Sequence, residues 1–166
     1  NEYIALGEGS GECYLSIFPS LEAQVASLSD DIAYCAHDIA DGHEAGILSH
    51  ENLRTSPFFG EFLVSEQTRE YHDSLSVAQG CRDLIRYLVN DLIFQTHKNI
   101  KDLQKNAFGT KTSNLIAFSS GTVKKVVELK KYLFKNLYRS EEINFMRRQA
   151  EEIVNTLFEY YLDNLD

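Results

Sequence analysis

The longest periodic stretch of the chain, from Ser74 to Lys105, repeats apolar side chains at spacings of three and four: Val77, Cys81, Leu84, Ile85, Leu88, Leu92 and Ile93. That period matches one stripe of an α-helix, whereas a half-buried strand requires alternation. A helix of this length dictates the rest of the fold, because its apolar stripe must be covered by other elements of similar length. Candidates lie on both sides. Ser20 is a capping residue with Glu22 in the first turn after it, and the helix it opens carries Val25, Leu28, Ile32, Cys35 and Ile39 on one face up to a stop signal at Gly42. A further helix is expected from Thr122 to Tyr138. A last one is capped by Ser140 and bears Ile143, Met146, Ala150, Ile153, Leu157, Phe158, Tyr161 and Leu165.

Shorter pieces connect these. A helix or helix pair is expected over His43 to Arg54, after which SPFFG breaks the pattern and buries its two phenylalanines, Phe58 and Phe59. Residues 1 to 18 read as a loop leading into a brief irregular piece. The GEGSGE run there lacks the Lys and Ser/Thr that follow the glycines of a phosphate-cradling loop. Alternating β-branched runs are lacking, and both prolines fall outside the long periodic segments. The expectation is an all-α fold, an orthogonal multi-helix bundle, with three long amphipathic helices sharing one core. At 166 residues and 43% hydrophobic content the chain suffices for one such domain, 1–166.

Three cysteines, Cys13, Cys35 and Cys81, stand far apart and in no CxxC pair, which argues against a disulfide framework or zinc knuckle and for a reducing, cytoplasmic setting. No run approaches the roughly 20 apolar residues of a membrane helix, so no membrane partner is expected. The formal charge of -9 arises at one end: residues 1 to 53 hold ten acidic and no basic residues, against fifteen and sixteen in the remainder. A field of that sign repels phosphate backbones and argues against nucleic acid as a partner. The chain begins at Asn1 rather than Met, compatible with a piece of something longer.

Chemistry concentrates in DDIAYCAHD, residues 30 to 38. Asp30, Tyr34 and Asp38 follow one another at i, i+4 and i+8, a drift of about 40° per step, and so line one polar stripe beside the apolar one. A carboxylate there suits the shell of a hard divalent cation. A second, two turns on, suits a sugar hydroxyl, and an aromatic between them suits the sugar ring. Pattern alone favours the plainer reading, in which Asp30, Asp31 and Asp38 are solvated acids and Tyr34 is half-buried.

The surroundings shift that balance. The stretch SLEAQVASLSDDIAYCAHDIADG, followed by EAGIL, is similar to the segment that carries the last metal-binding aspartate of bacterial dGTPase-like triphosphohydrolases of the HD superfamily. RDLIRYLVNDLI and ELKKYLFKNLYRSEEINFMRRQAEEIVNTLF resemble later core helices of the same family, so the likeness covers most of residues 20 to 160. It implies an HD-domain-like fold, of which this chain is the C-terminal portion. It further implies that Asp30 is a ligand of a divalent metal such as Mg or Mn, that Tyr34 packs on deoxyribose, and that Asp38 accepts from the sugar 3′-hydroxyl. The family's other ligands, an isolated His and a His-Asp dyad, would precede Asn1. His37-Asp38, with Gly42-His43 after it, superficially resembles that dyad, but its neighbours match the final-Asp motif instead.

By this resemblance the substrate is a deoxynucleoside triphosphate, hydrolysed by the longer parent to deoxynucleoside and tripolyphosphate, and the parent is a homo-oligomer. No catalytic acid or base is identified in the chain, which alone is expected to be inactive. Arg69, Arg82 and Arg86 are candidates for reaching the triphosphate, since guanidinium forks match phosphate oxygens, although solvated helix faces explain them as simply. Two other readings stay open: a different HD phosphohydrolase, such as a nucleotidase acting on monophosphates, and a helical assembly or regulatory module without chemistry.

Overall fold

The computed structural model describes residues 19–63, 73–105 and 115–164. Among them there is no strand, and the chain is an all-α bundle. Helix α1 spans Leu21–Glu44, α2 His50–Arg54, α3 Asp73–Lys105, α4 Ser120–Leu133 and α5 Glu141–Asp163. A 3₁₀ turn at Phe59–Phe62 leads away from α2, and a π-helical turn at Phe134–Tyr138 prolongs α4.

Ser20 caps α1 as expected, its hydroxyl accepting from the Ala23 backbone N–H at 3.2 Å. The helix does not stop at Gly42, however. Gly42 is buried inside it, and a Cβ there would lie 2.8 Å from Leu48 Cδ1 and 3.0 Å from Leu137 Cδ1. The glycine serves close packing, and the chain reverses four residues later, where Gly46 takes φ +73°. The Gly42 carbonyl then accepts from the N–H groups of both Ile47 and Leu48, at 3.0 and 2.8 Å. This turn occupies the first part of the span expected to be helical from His43, leaving α2 as one short helix capped by Ser49. The end of α1 is a Schellman-type closure with Gly46 as its left-handed residue, so Gly42 is not the stop.

The core is the contact of α1 with α3, supplemented by α4. Ile32, Cys35, Ala36 and Ile39 of α1 meet Val77, Cys81, Leu84, Leu88 and Leu92 of α3, together with Val126, Leu129 and Leu133 of α4. Phe58 and Phe59 are buried in it, as the break at SPFFG implied. Val25 and Ile93, assigned to apolar faces from their spacing, are about half exposed because they fall at the edges of their stripes. Polar ties fix the register of α4. Its N-cap Ser119 accepts from Thr122 N–H and donates its own N–H to Asp91 of α3 at 2.8 Å, which satisfies an end that would otherwise leave donors unpaired.

The last helix corrects one expectation. Ser140 caps α5 as foreseen, accepting from Ile143 N–H at 3.3 Å, but none of its residues is buried. Met146, Ile153, Leu157, Phe158 and Tyr161 all face solvent, and only Ile143 and Asn144 are half covered. The shared core is therefore built by α1, α3 and α4. Periodicity reports that a helix has an apolar face, not what covers it. A direct consequence is that Leu157→Asp should change the unfolding free energy of this chain by no more than about 0.5 kcal/mol, as for surface substitutions generally. Urea titration of the two proteins checks this; a loss of 2 kcal/mol or more would mean that α5 packs on the core.

Candidate functional site

Helices α1 and α4 lie side by side, and an open cleft of about 340 Å³ runs between them. One wall is Asp31, Tyr34, Cys35 and Asp38 of α1, and the other is Lys130, Leu133, Phe134 and Tyr138. Two polar clasps cross it. Lys130 Nζ donates to Asp31 Oδ1 at 2.7 Å, and the Tyr138 hydroxyl donates to Asp38 Oδ2. Between the clasps Tyr34 and Phe134 stand 65% and 53% exposed and offer apolar faces to a ligand.

The electrostatics follow from this layout. Partial burial and, after it, the hydrogen bond to the Asp38 carboxylate hold the Tyr138 phenol protonated well above its usual range, so it acts as a donor at every ordinary pH. Burial pushes the Cys35 thiol up to about 11, against the opposing pull of Lys130. Burial likewise pushes Cys81 up to about 11; its Sγ–H points at the Ala36 carbonyl, 3.4 Å away. Both are neutral thiols near pH 7 and pack as small apolar groups, so the cleft contains no thiolate nucleophile. Lys130, on the α4 wall, supplies a positive charge facing the acidic α1 wall.

The sequence-derived candidates divide clearly. Tyr34 and Asp38 share the cleft. Asp30 sits on the same helix, exposed, one turn before Tyr34, while its neighbour Asp31 lines the cleft. Among the described residues no three His, Cys, Asp or Glu side chains converge to hold a metal ion. One exposed carboxylate does not make a shell for a divalent cation, so the residues described here do not form a metal site by themselves. Arg82 and Arg86 lie on α3 away from the cleft lining. Arg82 donates to Gln79 at 2.8 and 3.1 Å, and Arg86 pairs with Asp83 at 2.7 Å, so both are engaged along their own helix. Arg69 lies outside the described residues. His37 is exposed and does not line the cleft.

Lys130, Phe134 and Tyr138 were not anticipated as site residues. They do carry a signal, the same i, i+4, i+8 spacing as Asp30, Tyr34 and Asp38, but it is embedded in a lysine-rich helix whose charges read as solvated.

Residues 116–166, which hold α4 and α5, match the model of a family described as phosphohydrolase-associated domain. The whole chain aligns with a deoxyguanosinetriphosphate triphosphohydrolase-like protein of Rickettsia rickettsii (strain Iowa), 32% identical over 171 residues, covering 100% of this chain and 44% of that protein. Over its whole length the chain is similar to dGTPase-like proteins. Its counterparts of the same description in Rickettsia felis and Rickettsia canadensis are 30% and 29% identical, again over the whole chain and over 45% and 46% of their own lengths. The chain thus spans less than half the length of these dGTPase-like relatives. Both walls of the cleft fall within the aligned region, and its α4 wall lies within the phosphohydrolase-associated domain. No helix among the described residues is long and apolar enough to cross a membrane.

Proposed function

We propose that the full-length protein hydrolyses deoxynucleoside triphosphates to deoxynucleoside and tripolyphosphate, and that the α1–α4 cleft is where it holds the sugar. The observation that carries this reading is the pairing of an exposed Tyr34 ring with the Asp38 carboxylate in one cleft of suitable size. In this reading deoxyribose packs on Tyr34 and its 3′-hydroxyl donates to Asp38. The nucleotide then lies along α1 with its phosphates toward the N-terminal half of the helix. Asp30 and Asp38 are eight residues apart, about 12 Å along the axis, a distance that separates a phosphate-side ligand from a sugar-side acceptor.

Among the described residues Asp30 is the proposed ligand of a divalent metal such as Mg or Mn, and a complete shell requires further ligands. Lys130, held at the cleft by Asp31, offsets the charge of an acidic wall that would otherwise repel a polyanion. Water adds to the α-phosphorus, the bond from that phosphorus to the sugar 5′-oxygen breaks, and the oxygen leaves with a proton as the deoxynucleoside hydroxyl. Holding the sugar fixed contributes by orientation, since it keeps the scissile bond in line with the incoming water.

The test is an assay of the full-length protein with each deoxynucleoside triphosphate and a divalent metal, resolving tripolyphosphate from pyrophosphate and orthophosphate. Tripolyphosphate in equal amount to deoxynucleoside is expected. Orthophosphate released from monophosphates, with triphosphates untouched, would replace this reading by that of a nucleotidase. No hydrolysis of any nucleotide would leave a helical module without chemistry.

A further inference from the structure

The clasp between Tyr138 and Asp38 has a geometric origin that separates it from an incidental surface contact. Asp31 and Asp38 are seven residues apart on α1, two turns that return to nearly the same face. Their partners Lys130 and Tyr138 are eight apart. On an uninterrupted α-helix, a residue eight positions on is rotated by about 80°, against about 20° for the seven-residue spacing of Asp31 and Asp38. The π-helical turn at Phe134–Tyr138 takes up the additional residue, so that Tyr138 comes round to the cleft while Leu137 is buried and touches the position of Gly42. Single π turns occur frequently at functional sites, because the helix distortion persists only where something compensates for it.

What this places at Asp38 is a phenol that stays protonated and donates to one carboxylate oxygen, Oδ2. A carboxylate has two oxygens and about four acceptor positions, so fixing one oxygen leaves the other free and its direction set. Tyr138 itself is 39% exposed, which leaves the cleft open to a ligand beside it. We infer that Tyr138, delivered by the π turn of Phe134–Tyr138, is a positioning residue that orients the Asp38 carboxylate toward the 3′-hydroxyl of the substrate sugar. The inference rests on the sugar-site reading given under Proposed function. It adds that discrimination for the 3′-hydroxyl depends on a residue of the phosphohydrolase-associated domain as well as on α1. The role is positional, since the hydroxyl engages Asp38 and no reacting atom.

The experiment compares the full-length protein with its Tyr138→Phe, Asp38→Ala and doubly substituted variants. Each is assayed on a deoxynucleoside triphosphate and on its 3′-deoxy analogue, with thermal unfolding as a check on folding. Asp38→Ala is expected to remove the preference for the 3′-hydroxyl. Tyr138→Phe is expected to lower kcat/KM for the deoxynucleotide about tenfold while leaving that of the 3′-deoxy analogue unchanged, and to add nothing in the double variant, the mark of two residues acting through one contact. If Asp38→Ala removes the preference and Tyr138→Phe retains it, the positioning role is wrong and the sugar site stands. Equal losses on both substrates, or a lowered melting temperature alone, make Tyr138 a structural residue and also overturn the inference. An unchanged preference in Asp38→Ala overturns the sugar site and the inference together.

Discussion

Asp30→Ala in the full-length protein is expected to reduce turnover by well over a hundredfold while leaving the fold intact. The two halves of that statement have separate grounds. Asp30 is exposed on the solvent side of α1, and no hydrogen bond or ion pair of its carboxylate is found among the described residues. The neighbouring Asp31, by contrast, is tied to Lys130. Removing the Asp30 carboxylate should therefore alter stability by no more than about 0.5 kcal/mol, the range for surface positions. The activity loss comes from the proposed role as a metal ligand. Outer-shell partners of metal sites typically matter by about 10–100-fold, and a direct ligand by more. Measuring kcat and the unfolding midpoint on the same preparations decides the matter. Full turnover in Asp30→Ala would remove the metal assignment, and a collapse of stability would transfer Asp30 from chemistry to structure.

The second large effect concerns the scaffold. Phe59 is fully buried, and the helix opposite it carries Gly80, where a Cβ would come within 3.0 Å of the Phe59 ring. The ring therefore fills the space that a glycine leaves on α3, with Leu63 alongside. Phe59→Ala empties that space and should cost about 3–5 kcal/mol, a large fraction of the stability of a domain this size. Urea or thermal unfolding should show a lower midpoint with an unchanged denaturant slope. A cost under 1 kcal/mol would mean that the segment following α2 is not anchored in the core.

Much of this scaffold is legible in the sequence, for physical reasons. The periods of α1, α3 and α4 are long, and the serines at 20 and 140 cap the helices they precede. Elsewhere, local signals have tertiary causes. Gly42 looks like a helix end because glycine commonly is one; here it admits Leu48 and Leu137. The π turn at Phe134–Tyr138 looks like ordinary helix, because nothing in FKNLY distinguishes the two until Leu137 and Tyr138 have to face different neighbours. The apolar positions of α5 look like core, since amphipathicity is encoded in the helix and its covering is not.

The candidate site was half legible. Tyr34 and Asp38 were found on one helix, where spacing alone places them together. Lys130 and Tyr138 stand about 100 residues away in sequence, and only packing of α4 on α1 joins them to the same cleft. Arg82 and Arg86 are candidates by charge, which does not encode direction; both lie on α3, where they contact Gln79 and Asp83.

The proposed sugar site is the α1–α4 cleft. Its most direct test is a structure of the full-length protein bound to a non-hydrolysable deoxynucleoside triphosphate. The expected result is deoxyribose packed on Tyr34 with its 3′-oxygen at about 2.7 Å from the free Asp38 oxygen, a normal hydrogen-bond length for a hydroxyl donor, and the triphosphate directed toward Asp30. A sugar bound elsewhere, with the Tyr34–Tyr138 cleft closed or filled by protein, would contradict it.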